Sequence, residues 1–270
     1  MPVRDGSAFL GRCLDAVAAQ EGAPPWELIV ADNGSGDGSA DLATAHPAVS
    51  RVVRERRPGS YAARNAGIAV ARGAVLAFTD ADCVPEARWI ASAVRALEGG
   101  ADLVAGAVIP LVGSQPTLWE RYDRATYLDQ ARYVQWGFAA TANLHVRRTV
   151  VDAVGPFDVS LRSGGDVEFS RRATGAGFSL VYESAARVAH RPRTTLRETW
   201  RLHRRLGAGW RDLAKAGKWP SVRDDPSMWL SLGVAADALA HDGPRVRRRR
   251  LLGVHAVVLA ARWTGRIIGT

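Results

Sequence analysis

Two short apolar runs, each ending in an acid, constrain this chain more than any other feature. Glu27-Leu-Ile-Val-Ala-Asp32 and Gly73-Ala-Val-Leu-Ala-Phe-Thr-Asp80 each read as a buried strand that ends in a polar turn. Arg51 to Arg54 and Asp102 to Ile109 read as further strands, and Ser60 to Ala71 and Pro85 to Leu97 as helices. Strands separated by helices predict an α/β fold with a largely parallel, doubly wound sheet. Ligands of such sheets bind beyond the carboxyl ends of the strands. Asp32-Asn33-Gly34-Ser35 and Thr79-Asp80-Ala81-Asp82 both fall there.

At 270 residues, nearly half of them apolar, the chain can bury a substantial core and is not a disordered polymer. Cys13 and Cys83 have neither metal-ligand nor disulfide-framework spacing, which fits a reducing cytoplasm. Met1 to Leu10 lacks the charged region, apolar run and small-residue site of a secretion signal. Met1-Pro2-Val3-Arg4-Asp5 already reads as the turn after a first strand. That strand is therefore expected to be missing, either because the start lies too far downstream or because the domain lacks it. Later, Thr117 to Ala131 reads as a helix, Phe138 to Val146 as a strand, and Leu180 to Tyr182 as a short strand. Gly164-Gly165-Asp166 opens a helix to about Thr174, and from Thr195 the pattern is helical, with breaks at Trp219-Pro220, Asp225-Pro226 and Gly243-Pro244.

Asp80 and Asp82, two residues apart at a strand end, can aim at one cation. Carboxylate oxygens favour Mg²⁺ or Mn²⁺, which complete their shells with water and substrate phosphates. A solvated acidic turn has the same local sequence. Asp32 can accept hydrogen bonds from a base or ribose, or simply shape a strand-to-helix turn. Arg64 can pair with a diphosphate, or lie on a solvated helix face. Asp166 can take a proton from an attacking hydroxyl, or cap its helix; for base work, burial must oppose the pKa-lowering pull of the helix end. His190 follows an apolar strand, where an imidazole can be a metal ligand or a structural group.

These pieces occur in an order and at spacings that resemble family-two glycosyltransferases. The stretches that carry the resemblance are Pro2-Val-Arg4-Asp5, Glu27 to Gly38, Ala63-Arg64-Asn65-Ala-Gly67 and Phe78-Thr-Asp80-Ala-Asp82. Asn143 to Arg148, Gly155-Pro-Phe-Asp158, Gly165-Asp166 and Val188-Ala-His190 continue it, to roughly Arg193. The resemblance implies a GT-A-type doubly wound, mostly parallel sheet over 1–193, followed by a basic helical region over 194–270. It implies an inverting transferase that moves a sugar from a UDP- or GDP-linked donor to an acceptor hydroxyl, with lipid-linked and polysaccharide acceptors both open. Cell-envelope, polysaccharide or glycolipid synthesis is the expected setting. By the same resemblance Pro2, Arg4, Asp32, Arg64 and Asp80 lie at the donor, and Asp82, with Asp80 and His190, holds Mg²⁺ or Mn²⁺. Asp166 is the base. Two departures stand out: Arg4 and Asp5 replace an aromatic residue and Asn, and Gly165 replaces a Glu beside Asp166. The rivals are a catalytically inactive nucleotide-sugar-binding protein and a sugar nucleotidyltransferase. The second would want a glycine-rich phosphate loop, and Pro2 to Leu10 offers one glycine.

The formal charge of +9 is unevenly placed. Arg187 to Thr270 holds 18 Lys and Arg against 6 Asp and Glu, or +12, which leaves −3 for the rest. Leu251 to Ala261 is too short an apolar run to span a bilayer, but it suits an interfacial helix flanked by Arg247 to Arg250, Arg262 and Arg266. A helix packed with a solvated basic face fits equally. No nucleic-acid motif accompanies the charge, so nucleic acid is not an expected partner. The expected location is the cytoplasm, peripheral on the cytoplasmic face of an anionic membrane.

Overall fold

The computed structural model describes residues 1–218 and 245–268, with side chains from 245 to 252 excepted. The three proline breaks expected between 219 and 244 lie outside the described residues. The chain divides into two compact units. One comprises Met1–Ile109, Leu128–Ser160 and Gly165–His190; the other comprises Pro110–Tyr127, Leu161–Gly164 and Arg191–Thr270.

The first unit opens with β1 (Pro2–Val3), α1 (Ser7–Ala18), β2 (Leu28–Asp32), α2 (Ser39–Ala45) and β3 (Val49–Arg54). Next come α3 (Ser60–Val70), β4 (Val75–Thr79), β5 (Cys83–Pro85), α4 (Trp89–Glu98) and β6 (Leu103–Pro110). On α1, Leu10, Cys13, Leu14 and Val17 repeat at helical spacing and are all buried. β2 is buried along its whole length, as expected of a strand covered on both faces. β1, β2 and β3 form a parallel sheet in that order. Where the opening residues read as a turn, Pro2–Val3 form a two-residue strand, with Val3 opposite Asp32. The Met1 amine donates to Ile29 O at 2.9 Å. Leu28, Ile29, Leu76, Phe78 and Met1 line part of a cavity of about 560 Å³.

A second sheet has the order β4-β7-β6-β8-β5, with β7 (Asn143–Arg147) and β8 (Leu180–His190) contributed from later in the chain. Here β7 runs antiparallel to both β4 and β6, and β5 antiparallel to β8. The helices α6 (Gln130–Gln135), α7 (Arg148–Val154) and α8 (Gly165–Gly175) complete the unit. Its core gathers Phe78, Leu103, Leu144, Val146, Phe157 and Phe169.

The second unit contains α5 (Leu118–Thr126), α9 (Leu196–Lys215) and α10 (Arg245–Ile268). Thr117 and Thr195 each close a capping box, with Glu120 and Glu198. The single helix expected over Thr117 to Ala131 is two, because Leu128 takes a positive φ of 58° between α5 and α6. Arg262 and Arg266, expected to flank an exposed apolar face, are buried; Arg262 Nε donates to His203 Nδ1 at 3.0 Å. Among the described residues no helix is long and apolar enough to cross a membrane.

Candidate active site

The end of β4 organises the site. The strand stops at Thr79, and Asp80 to Asp82 turn the chain into β5. Arg64, on the buried face of α3, reaches Asp80 Oδ1 through NH2 at 2.5 Å. Its side chain is only 4 % exposed against 34 % for that of Asp80, so the cation is fixed from below and the carboxylate faces outward. Arg64 Nε is buried without a hydrogen-bond partner among the described residues.

Asp82 and His190 meet because of strand register. Antiparallel pairing of β5 with β8 sets His190 opposite Cys83, one residue past Asp82. His190 Nε2 then lies 3.7 Å from Asp82 Oδ2, with the histidine nearly covered and the carboxylate 43 % exposed. Among the described residues no group of three or more His, Cys, Asp or Glu is arranged to hold a metal by itself. A carboxylate with one imidazole nevertheless suits Mg²⁺ or Mn²⁺, which bind through one or two protein carboxylates and take substrate phosphates and water besides. The donor set fits such an ion.

Asp166 stands in the first turn of α8, where the sequence reading put it. Tyr61 Oη donates to its Oδ1 at 3.2 Å, and Val167 N donates to the same oxygen at 3.1 Å. Burial raises the Asp166 pKa; Arg64 and the Tyr61 hydroxyl oppose that shift. The helix end alone would have lowered it. Asp80, Arg64, Tyr61 and Asp166 thus form a continuous line, with the Arg64 guanidinium 5.6 Å from the Tyr61 ring centroid. Next to Asp166, Glu168 pairs with Arg172 at 2.9 Å.

Asp32 ends β2 as a buried carboxylate whose Oδ1 accepts from Ser35 N at 3.2 Å. Pro2 pairs beside it in β1. Arg4 is exposed, with its nearest acid, Asp5, at 4.0 Å. Two residues near the site have roles that the sequence reading did not assign. Asn65 clamps Phe157 by a reciprocal pair, Nδ2 to Phe157 O at 2.8 Å and Phe157 N to Oδ1 at 3.0 Å. Tyr61, three residues before Arg64 on the same helix face, carries the contact to Asp166; that spacing was the available signal.

The mixed sheet is that of the GT-A fold, and comparison with known proteins identifies the class as a glycosyltransferase. Residues 1–159 match the profile of glycosyl transferase family 2, and the chain belongs to that family. Glycosyltransferase AglE of Haloferax volcanii is 38% identical over 216 residues, 77% of this chain and 71% of that protein. A pre-mycofactocin glycosyltransferase of Mycobacterium tuberculosis is 30% identical over 208 residues, 73% of this chain but 43% of that protein. Among solved structures, the mannosyltransferase PcManGT from Pyrobaculum calidifontis, in complex with GDP-Man and Mn²⁺, superposes with a TM-score of 0.60 at 20% identity. That match covers 98% of this chain and 81% of the other, and it speaks for the fold.

Proposed function

We propose that this glycosyltransferase inverts configuration as it moves a sugar from a nucleotide-diphosphate sugar to an acceptor hydroxyl, with Asp166 as the base. The observation that carries the reading is the line of side chains from Asp80 through Arg64 and Tyr61 to Asp166. It ties a strand-end acid suited to the donor to a half-buried carboxylate suited to the acceptor. Asp32 with Pro2 and Arg4 forms the side for base and ribose, and Arg64 and Asp80 the side for the diphosphate. Asp82 and His190, helped by Asp80, would hold Mn²⁺ or Mg²⁺; the Mn²⁺ complex of the mannosyltransferase supports that choice. When bound, such an ion supplies Lewis-acid stabilisation of the leaving diphosphate. The chain's own work is to orient the donor and to take the acceptor's proton, which typically contributes about 10²- to 10⁴-fold.

The test begins with a thermal-shift screen of UDP- and GDP-sugars with Mn²⁺, since a ligand bound only by the native state raises its apparent stability. Asp82→Ala should lose the Mn²⁺-dependent part of donor affinity. Asp166→Asn should keep donor affinity and lose nucleotide release by at least about 100-fold. Full turnover by Asp166→Asn would remove that residue from the mechanism.

The setting we propose is the cytoplasmic face of a membrane, in cell-envelope polysaccharide or glycolipid synthesis. Trp263, Ile267 and Ile268 are exposed at the end of α10, in a region that carries +12, and this combination supports peripheral attachment to anionic lipid. Salt-sensitive co-sedimentation with phosphatidylglycerol vesicles, weakened by Trp263→Ser, is the expected result. No binding at low salt would refute the attachment.

A further inference from the structure

The two oxygens of Asp166 are not equivalent. Oδ1 accepts from both Tyr61 Oη and Val167 N, while no side chain among the described residues hydrogen-bonds Oδ2. Tyr61 is built to hold this arrangement. Its ring is buried and stacks on Phe157 at 5.7 Å between centroids. It also lies against the backbone of Gly165: a Cβ there would sit 2.7 Å from Tyr61 Cε2 and 2.9 Å from two further ring carbons. No side chain larger than hydrogen fits while the ring stays in place. Burial holds the phenol far above its ordinary pKa, so it remains a donor at any working pH.

We propose that Tyr61 is the positioning residue of the base: its hydroxyl occupies Oδ1 of Asp166 and leaves Oδ2 to receive the acceptor's proton, and Gly165 is glycine to admit the ring. The inference rests on reading Asp166 as the base and deepens that reading. In the step it describes, the acceptor oxygen bonds to the anomeric carbon as its proton passes to Oδ2. The bond from that carbon to the diphosphate breaks, and its electron pair leaves with the nucleoside diphosphate. A carboxylate free to rotate would present either oxygen at either angle. One pinned at Oδ1 presents a single lone-pair set toward the acceptor. The charged and titratable groups that face Asp166 are Tyr61 and Arg64 from α3, with Asp80 beyond Arg64; Glu168, its neighbour on α8, is engaged by Arg172.

The test compares Tyr61→Phe, Gly165→Ala and Asp166→Asn with the parent chain. Two readouts are used: Mn²⁺-dependent nucleotide release from GDP-mannose and UDP-glucose with water as acceptor, and ¹³C NMR titration of the Asp166 carboxyl. The Asp166 signal is identified by its loss in Asp166→Asn. A donated hydrogen bond stabilises the carboxylate, so its removal should raise the Asp166 pKa by about one unit. The acid limb of the rate profile should move up in pH by the same amount. The rate at its plateau should fall roughly tenfold, with the donor KM unchanged. Gly165→Ala, which displaces the ring without removing the hydroxyl, should shift the titration in the same direction. It serves if Tyr61→Phe proves unstable. An unaltered Asp166 titration in both variants overturns the inference, whether or not either donor turns over. Wild-type release by Asp166→Asn would instead overturn the base reading beneath it, and the two failures are told apart.

Discussion

Asn143 shows how a single polar residue can organise an apolar core. It is fully buried, accepts from Trp89 Nε1 at 2.8 Å, and donates from Nδ2 to Ala107 O and Ala186 O, both at 2.8 Å. One side chain therefore ties together α4, β6 and β8. Replacement by Ala strands three partners in a space that water does not reach, and each unmet group costs about 1–3 kcal/mol. We expect Asn143→Ala to lose roughly 3 kcal/mol or more, read as a lower urea midpoint with an unchanged slope. The local sequence Ala142-Asn143-Leu144 does not announce this role. What does is general: a polar side chain inside an apolar strand must find partners once buried. Asp166 and Tyr61 are a harder case. The acid was legible as the first-turn residue of a helix, but its partner lies 105 residues away and only the folded chain brings it there.

Elements whose pattern is local were legible, and those that depend on a distant partner were not. β2, α3 and β4 lie within a few residues of their expected bounds because burial on both faces, or on one stripe, writes itself into the sequence. The sequence predicts β8 over Leu180 to Tyr182, but the strand runs to His190. Its middle, Glu183-Ser-Ala-Ala-Arg187, has no strand periodicity and is held by its neighbours in the sheet. That extension matters, since the pairing of β8 with β5 is what delivers His190 to Asp82. Phe138 to Val146 fails in the opposite sense: only Asn143–Arg147 pairs as strand. The packing of α9 on α10 was also invisible from sequence. It depends on two glycines, because a Cβ at Gly207 would collide with Arg262 O and one at Gly265 with Arg204 O. Backbones that approach this closely leave no room for a methyl group. Gly207→Ala should therefore push the helices apart and cost about 1–3 kcal/mol, visible as a lower Tm, whereas Gly253→Ala, with open space around it, should not. Thr195→Ala, which opens the capping box of α9, should cost about 1 kcal/mol.

For the molecule as a whole, buried basic groups set how stability depends on pH. His145 lies fully buried against Trp89, and burial pushes its pKa from 6.5 down to about 3. His203 and His255, in the helical unit, are lowered by burial too, with Arg262 adding to the effect in both. The Met1 amine falls from 8.0 to about 6, chiefly by burial and then by the Arg64 charge. In each case the unfolded chain binds a proton at a pH where the native state refuses it, so acidification favours unfolding. Stability should thus rise with pH, first from about 3 to 6.5 as the His145 penalty is lifted, then from about 6 to 8 as the amine becomes neutral in both states. Asp166, raised by burial, acts in the opposite sense, since its folded form favours the proton. The amine can be isolated from the rest: a shift from 8.0 to about 6 corresponds to roughly 2–3 kcal/mol at 1.36 kcal/mol per unit. Acetylation of Met1 removes that charge in the folded and unfolded states alike. Thermal unfolding between pH 6 and 8, at fixed ionic strength, should climb more steeply for the free amine than for the acetylated chain, which keeps only the histidine part of the rise, below about pH 7. Parallel curves for the two would mean that the amine is solvated in the native state, and that Met1 does not bury its charge beside β2.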